Sequence, residues 1–157
     1  MASYLGLEKN ISYYTIPAAV VLALLPRVYS GLTGPGKKVF DGNNPRLFTQ
    51  ALEKSDLDKR LKGRLQRAEA ATANAFETLG FYAAAVTAGN AGGVSAETLN
   101  NLSLGYLVSR IFYTWIYIWG QENRKWILVR TNVWGVSMGL TMAMFVLAGM
   151  RGDAGGI

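Results

Sequence analysis

Charge in this 157-residue chain is confined to short blocks, and between them run stretches without a single Asp, Glu, Lys or Arg: 10–26, 78–96, 98–109, 111–121 and 131–150. A bilayer core asks for about 20 mainly apolar residues per spanning helix, with a range of roughly 17 to 25. The spacing therefore predicts four transmembrane helices, near 11–32, 65–91, 100–121 and 126–150. Together they make one all-α integral membrane domain over 1–157, a four-helix transmembrane bundle. A soluble helical domain would need a polar stripe on every helix, and Val133–Met150 has none.

Orientation follows from the bases. The segment Gly34–Arg67 holds nine of the sixteen, namely Lys37, Lys38, Arg46, Lys54, Lys59, Arg60, Lys62, Arg64 and Arg67. Arg124 and Lys125 follow in the third connection, whereas Gly89–Glu97 has neither Lys nor Arg. The first and third connections of an up-and-down bundle share a side, and the positive-inside tendency makes that side the cytosol. The loop 34–64 is then a basic cytosolic loop, and both chain ends face the lumen or exterior. The net charge of +6 reads as contact with the lipid bilayer and its anionic headgroups. It does not read as nucleic-acid binding, because no aromatic platform interleaves the bases. Met1–Glu8 lacks the basic start of a secretory signal. With no Cys and no His, disulfides, thiol nucleophiles, histidine acid–base work and ordinary zinc sites are excluded.

Local signals place the breaks. Pro17 is tolerated near a helix start, whereas Pro26 is expected to kink or end the first helix near Leu25. Gly31–Gly36 is a breaker cluster, and Lys37–Gln50 is expected as a polar loop. Ser55 with Asp56 and Asp58 marks the start of the second helix, whose basic extension Lys59–Arg67 precedes the bilayer. Gly89–Gly93 ends it, Ser95 caps the third helix, and Gly120–Asn123 is a tight connection. Gly135, Gly139 and Ala143, four apart, form a small-residue row suited to close helix packing.

Asn74, Glu77 and Arg110 stand where hydropathy puts lipid. A lone Arg at the centre of a membrane helix costs about 2.5–3.5 kcal/mol on insertion scales, so such residues persist when they pair or line a cavity. At about 1.5 Å per residue, Glu77 lies roughly 15 Å from Arg67, and Arg110 roughly 15 Å from Gly120, which puts Glu77 and Arg110 at one depth as an expected ion pair. Arg67, Asn74, Tyr117 and Arg130, with Tyr113, Thr131 and Trp134 alongside, make a ladder toward that pair. This is a polar pocket open to the cytosol. One reading is an ion pair that only fixes helix register. The other rests on surplus cations, since Glu77 neutralises one arginine while Arg67, Arg110 and Arg130 crowd one funnel. Such a funnel invites an anionic ligand with carboxylates. Tyr113, Trp115 and Trp119 read by default as an interfacial belt; Tyr117 is set apart by its spacing from Arg110.

Four short helices, a basic first connection carrying Asn44-Pro45-Arg46, the pair Asn74 and Glu77 on the second helix, and Arg110 with Tyr117 on the third resemble the membrane-associated proteins in eicosanoid and glutathione metabolism. That family includes microsomal glutathione transferases, leukotriene synthase and microsomal prostaglandin E synthase. The resemblance implies a homotrimer with glutathione bound between subunits near the cytosolic side. It implies that Asn74, Glu77, Arg110 and Tyr117 hold the tripeptide, and that Arg130 faces its sulfur with Thr131 in place of a nearby serine. The candidate cofactor-binding set is thus Arg67, Asn74, Glu77, Arg110, Tyr113, Tyr117 and Trp134. The candidate catalytic set is Arg130, Thr131, Tyr117 and Glu77. Arginine stays charged and stabilises a thiolate without acting as a base.

The implied activity is that of an enzyme of the endoplasmic reticulum membrane, which conjugates, reduces or isomerises a lipophilic small molecule. The family pattern Arg-Ala-His-x-Asn-x-x-Glu reads here with Ala70 and Thr72 at the arginine and histidine positions. Arg67, Arg27, Lys37 or Lys38 are the candidates to replace those contacts. Two alternatives follow: a glutathione-independent isomerase or cyclase with Glu77 as acid or base, and a non-catalytic module binding lipid or protein.

Overall fold

Short polar caps and glycine-rich breaks divide the chain into four long helical segments. The structure, a computed structural model, describes residues 9–32, 34–123 and 125–154, and every regular element among them is helical. A 3-10 turn at Ser12–Tyr14 leads into α1 (Thr15–Arg27), which continues as a π-helical turn over Val28–Leu32. Pro26 lies inside α1, and the regular α-helix gives way two residues past Leu25, at Arg27, where the sequence leads one to expect a kink or an end. Its missing N–H removes one hydrogen bond, and the chain absorbs the offset in the wider turn that follows.

The segment expected as a polar loop has a small core of its own. After two 3-10 turns, Gly34–Lys38 and Pro45–Leu47, comes α2 (Phe48–Lys54). Phe48 and Leu52 are buried against Leu65, with Tyr29, Val39, Phe40, Leu57 and Leu61 around them. The Phe40 and Phe48 rings meet edge to face, 5.4 Å apart. The apolar residues within 34–52 are too widely spaced to read as an element. Gly36 makes the tuck possible, because a β-carbon there would lie 1.8 Å from the Ser30 carbonyl oxygen.

Ser55, expected to start the second long helix with Asp56 and Asp58 in its first turn, instead closes α2, and the cap is Asp58. Asp58 accepts hydrogen bonds from the Arg60 and Leu61 amides at 2.9 and 3.2 Å, opening α3 (Lys59–Ala91). Gly93, at φ +70°, turns the chain. Ser95 accepts from the Thr98 amide to open α4 (Ala96–Ile118), and a 3-10 turn at Gly120–Glu122 precedes α5 (Trp126–Ala154). At 1.5 Å per residue, α3 is about 50 Å long and α4 about 35 Å.

The main core gathers Tyr82, Tyr106, Leu99, Val86, Ala85, Ala19 and Met144. The Tyr82 and Tyr106 rings stack at 3.7 Å and 6°, and the two hydroxyls of Tyr82 and Thr15 lie 2.5 Å apart. Beyond it, Asn90 and Asn100 hold the first described residues, Lys9–Ser12. Asn100 accepts from the Ile11 amide at 2.9 Å and donates to the Lys9 carbonyl at 2.8 Å; Asn90 donates to Ser12 Oγ at 3.0 Å. Amides at a helix start lack intrahelical partners, and Asn100 supplies one there.

Two of the described segments are long and apolar enough to cross a bilayer, Ser12–Leu32 and Trp126–Arg151. The helices α3 and α4 have the length but carry Asn74, Glu77, Asn100 and Arg110. Large apolar side chains face outward from α1 (Val21, Leu24, Leu25), α4 (Val108, Ile111, Phe112) and α5 (Leu128, Val136, Met150). Gly135 and Gly139 face outward too. A β-carbon at either would meet nothing within 4 Å, so these two glycines pack against no described helix of this chain.

Candidate functional site

Depth places Glu77 and Arg110 together, but the structure does not pair them. Glu77 is exposed on α3, and none of the ion pairs among the described residues involves it or Arg110. Arg110 is 5% exposed and donates from Nη2 to Asn74 Oδ1 at 3.0 Å. Its guanidinium lies over the Tyr113 ring, 4.5 Å from the centroid, and its Nη1 has no hydrogen-bond partner. Asn74 and Glu77 are three residues apart, so they point about 60° apart around a helix of 3.6 residues per turn. That angle puts the neutral amide, not the carboxylate, against the arginine.

From Arg110 a column of two rings between two cations runs toward the α4–α5 turn. The rings of Tyr113 and Tyr117 are 5.6 Å apart, and the Arg130 guanidinium lies 4.8 Å from the Tyr117 centroid. A cation on a ring face gains about 0.5–1 kcal/mol when exposed and about 2 or more when desolvated. Arg130 also donates to Gln121 Oε1 at 3.1 Å. Beside the column opens a cleft of about 170 Å3 lined by Asn74, Tyr113, Arg130, Thr131 and Trp134. All five are residues that the sequence singles out. Tyr113, buried at 4% exposure, is part of this wall and does not belong to an interfacial belt. Glu77 and Arg130 both lie within electrostatic range of it.

Other expected members stand nearby without lining the cleft. Tyr117 lies beneath Arg130, and Arg110 sits behind Asn74 and Tyr113. Thr131 donates its hydroxyl proton to the Ile127 carbonyl at 3.0 Å, which leaves its oxygen as an acceptor at the cleft. Arg67 donates to the Ile118 carbonyl at 3.1 and 3.0 Å and lies 3.7 Å from Glu122. Ala70 is exposed and Thr72 buried; neither lines the cleft, and Thr72 Oγ1 has no partner.

The surplus of cations is smaller than the sequence indicates, because two carboxylates outside the expected site take up several of them. Glu122 collects Arg60, Arg64 and Arg67, the Arg64 contact being 2.5 Å. Hydrogen bonds from Arg60 first and Arg64 second hold its carboxyl down at about 2. Glu69 takes Arg27 at 2.8 Å and the Ser30 hydroxyl at 2.5 Å, and Arg27 also donates to the Pro45 carbonyl at 3.0 Å. The signal for Glu122 lies in the sequence: Arg60, Arg64 and Arg67 recur at four and three residues on one helix face, opposite the turn that carries it. Arg27 and Arg67 are therefore engaged within the chain, and do not stand free to replace the contacts absent at Ala70 and Thr72.

The arrangement is a small cleft walled by amide, phenol and indole, with one guanidinium, that of Arg130, at its edge and no carboxylate lining it. A family model, that of the MAPEG family, matches residues 11–150. No curated protein and no solved structure matches the chain. The match covers the four long helical segments almost end to end, and the chain therefore belongs to the MAPEG family, the membrane-associated proteins in eicosanoid and glutathione metabolism.

Proposed function

We propose that this protein is a glutathione-dependent membrane enzyme acting on a lipophilic electrophile, by conjugation, peroxide reduction or isomerisation. The observation that carries the reading is the convergence of Asn74, Tyr113, Arg130, Thr131 and Trp134 on one cleft. The donor set fits an anionic tripeptide. Asn74 and Tyr113 offer neutral hydrogen-bonding groups for its backbone, Glu77 stands one turn along α3 for its ammonium, and Arg130 supplies positive charge. Glutathione contributes a nucleophilic thiol to the chemistry. A free thiol has a pKa near 8.5, and an adjacent cation lowers it. Arg130 stays charged throughout, so its part is to stabilise sulfur as thiolate while the proton leaves to water. Tyr117 beneath the guanidinium and Gln121 beside it fix where that charge sits.

The same reading makes the working unit an assembly of identical four-span subunits, a homotrimer. Cavities that take small ligands occupy about 300–1,000 Å3, and 170 Å3 falls short of that, so a neighbouring copy is needed to complete the cleft. The exposed face of α3 presents Ala70, Ala73, Glu77, Gly80, Ala84 and Thr87. Their spacing alternates between three and four residues, the heptad seam of parallel helices, and their small size permits close approach in lipid. The basic segment and the α4–α5 turn then lie on the cytosolic side of the membrane, most simply the endoplasmic reticulum.

Titration calorimetry of the purified protein with glutathione tests the reading. Saturable binding is expected below millimolar concentration, and its absence at several millimolar overturns it. One observation favours a second reading, a glutathione-independent isomerase or cyclase: Arg27 and Arg67 are held by Glu69 and Glu122. Turnover of a lipophilic substrate that is undiminished after exhaustive removal of thiols would select it.

A further inference from the structure

A second cluster of charge lies where the start of α3 meets the α4–α5 turn. A cleft of about 410 Å3 opens there, lined by Lys59, Arg60, Gly63, Arg67, Gln121 and Glu122. It shares no lining residue with the candidate glutathione cleft. Arg60, Gly63 and Arg67 follow one another at three and four residues, so they share one face of α3. Gly63 leaves that face bare between the two arginines. A β-carbon there would meet only Arg67 Nη1, at 3.3 Å, the movable end of a flexible side chain, and its φ is not positive. Neither packing nor backbone therefore demands glycine, which a helix interior disfavours relative to alanine. What the residue supplies is room.

The cations around this room outnumber their anion. Glu122 engages Arg60 and Arg64 through Nε and Nη2 of each, and Arg67 approaches it at 3.7 Å. One carboxylate against three guanidiniums leaves two positive charges unmatched, and Lys59 adds to them. Asp58 caps α3 and does not line the cleft. Donors are left over as well as charge. Among the described residues no hydrogen bond or ion pair engages Lys59 Nζ, Arg60 Nη1 or Arg67 Nη1. These donors are accessible. Lys59 and Arg60 are exposed, and the unpartnered side-chain atoms buried from solvent are Thr72 Oγ1, Arg110 Nη1 and Gln121 Nε2, not Arg67 Nη1.

We propose that this cleft binds a phosphate monoester, its phosphate seated over Gly63 between Lys59, Arg60 and Arg67. A monoester carries close to two negative charges near neutral pH and three terminal oxygens, which match the two unmatched charges and the three spare donors. A carboxylate or a phosphate diester brings one charge only. At about 30 Å3 per water-sized group, the cleft takes roughly fourteen such groups, enough for a phosphate with a small polyol behind it. A neighbouring cleft lined by Trp115, Trp119 and Trp126 shares Arg60 and Glu122 with this one, and tryptophans gather at membrane–water interfaces. The phosphate position is thus level with lipid headgroups and open to the aqueous phase. A phosphatidate headgroup and a soluble polyol phosphate present the same chemistry to it.

The test uses the full chain in dodecyl maltoside without glutathione, so its outcome is separate from that of the function proposed above. Calorimetric titrations at about pH 8, where the monoester is a dianion, compare dioctanoyl phosphatidate, glycerol 3-phosphate and the diester dioctanoyl phosphatidylglycerol. Saturable binding of a monoester is expected, at least about tenfold tighter than that of the diester. Binding of phosphatidate alone assigns the site to a lipid headgroup, and saturation by glycerol 3-phosphate assigns it to a soluble ester. Gly63→Leu fills the cleft and should weaken monoester binding at least about tenfold without lowering the thermal midpoint. Should that variant fail to fold, Lys59→Gln, at an exposed position without a partner, must weaken binding about threefold. Equal affinity for monoester and diester, unchanged affinity in the variants, or no binding of either monoester at several millimolar overturns the proposal.

Discussion

Replacing Asn74 by Ala should destabilise the protein more than deleting the charge that Asn74 serves. Arg110 is buried with a single side-chain hydrogen bond, 3.0 Å to Asn74 Oδ1. Hydrogen bonds to charged groups contribute about 1.5–3 kcal/mol, and a charged group left unsatisfied loses at least that much. Asn74→Ala strips the guanidinium of its one side-chain hydrogen bond, for an expected loss of about 2 kcal/mol, roughly a thirtyfold rise in the unfolding constant. Arg110→Met removes the demand itself. It keeps a long side chain on the Tyr113 ring, and buried charges replaced by apolar groups of similar volume are often neutral or stabilising. The double variant should then resemble Arg110→Met alone, a coupling of about 2 kcal/mol between the two positions. Reversible unfolding in mixed micelles, followed by tryptophan fluorescence, gives all three values. If Arg110→Met costs as much as Asn74→Ala, or if the two losses simply add, the buried guanidinium is not the source of the effect.

Three shorter predictions bear on other parts of the fold. Glu122 has its carboxyl lowered from an ordinary 4.5 to about 2; a depressed carboxyl contributes stability above its ordinary value and loses it as pH falls toward the folded one. The thermal midpoint of wild type should thus exceed that of Glu122→Gln by a constant margin above about pH 5, with the gap closing between about 4.5 and 2. Gly36→Ala forces a β-carbon to 1.8 Å from the Ser30 carbonyl oxygen and should cost more than the roughly 1–3 kcal/mol of ordinary overpacking. Gly42→Ala, with nothing within 4 Å, should change stability by no more than about 0.5 kcal/mol; both are read by thermal melting. Arg130→Ala should shift the rising limb of the kcat/KM pH profile upward by about one unit, toward the free thiol, and an unmoved limb would separate Arg130 from the sulfur.

The helices were legible because charge-free runs, caps and breakers are local signals. Asp58, Ser95 and the glycines near residue 90 announce their turns within a few residues. The site was half legible. Counting 1.5 Å per residue fixes depth along a helix, and depth correctly gathered Asn74, Arg110, Tyr113, Tyr117 and Arg130. Depth carries no information on azimuth, and the Glu77–Arg110 pairing failed for that reason. Long-range partners such as Glu69 for Arg27, or Asn100 for the Ile11 amide, were hidden because nothing local marks which of several polar residues faces which. The core around Phe48 and Leu52 was not legible, because a seven-residue helix is too short to show a period.

The outward Glu77 carries the last test, because it joins the two proposals about assembly and ligand. On the α3 seam it has small neighbours, Ala73 and Gly80, and no ion pair with a described cation of its own chain. Helix axes in contact lie about 8–10 Å apart. Copies meeting along this seam bring their carboxylates to roughly 8 Å, where like charges repel by about 2 kcal/mol per pair at an effective dielectric of about 20. Glu77→Gln removes that repulsion, so self-association should tighten when no ligand is present. The same substitution takes away the acceptor proposed for the tripeptide ammonium, so glutathione should bind at least about tenfold more weakly. Sedimentation in detergent and calorimetry read the two effects separately, and they run in opposite directions. A variant that dissociates, or one that binds glutathione as tightly as wild type, refutes the placement of Glu77 at a junction between subunits and ligand. A merely solvated carboxylate would move neither measurement.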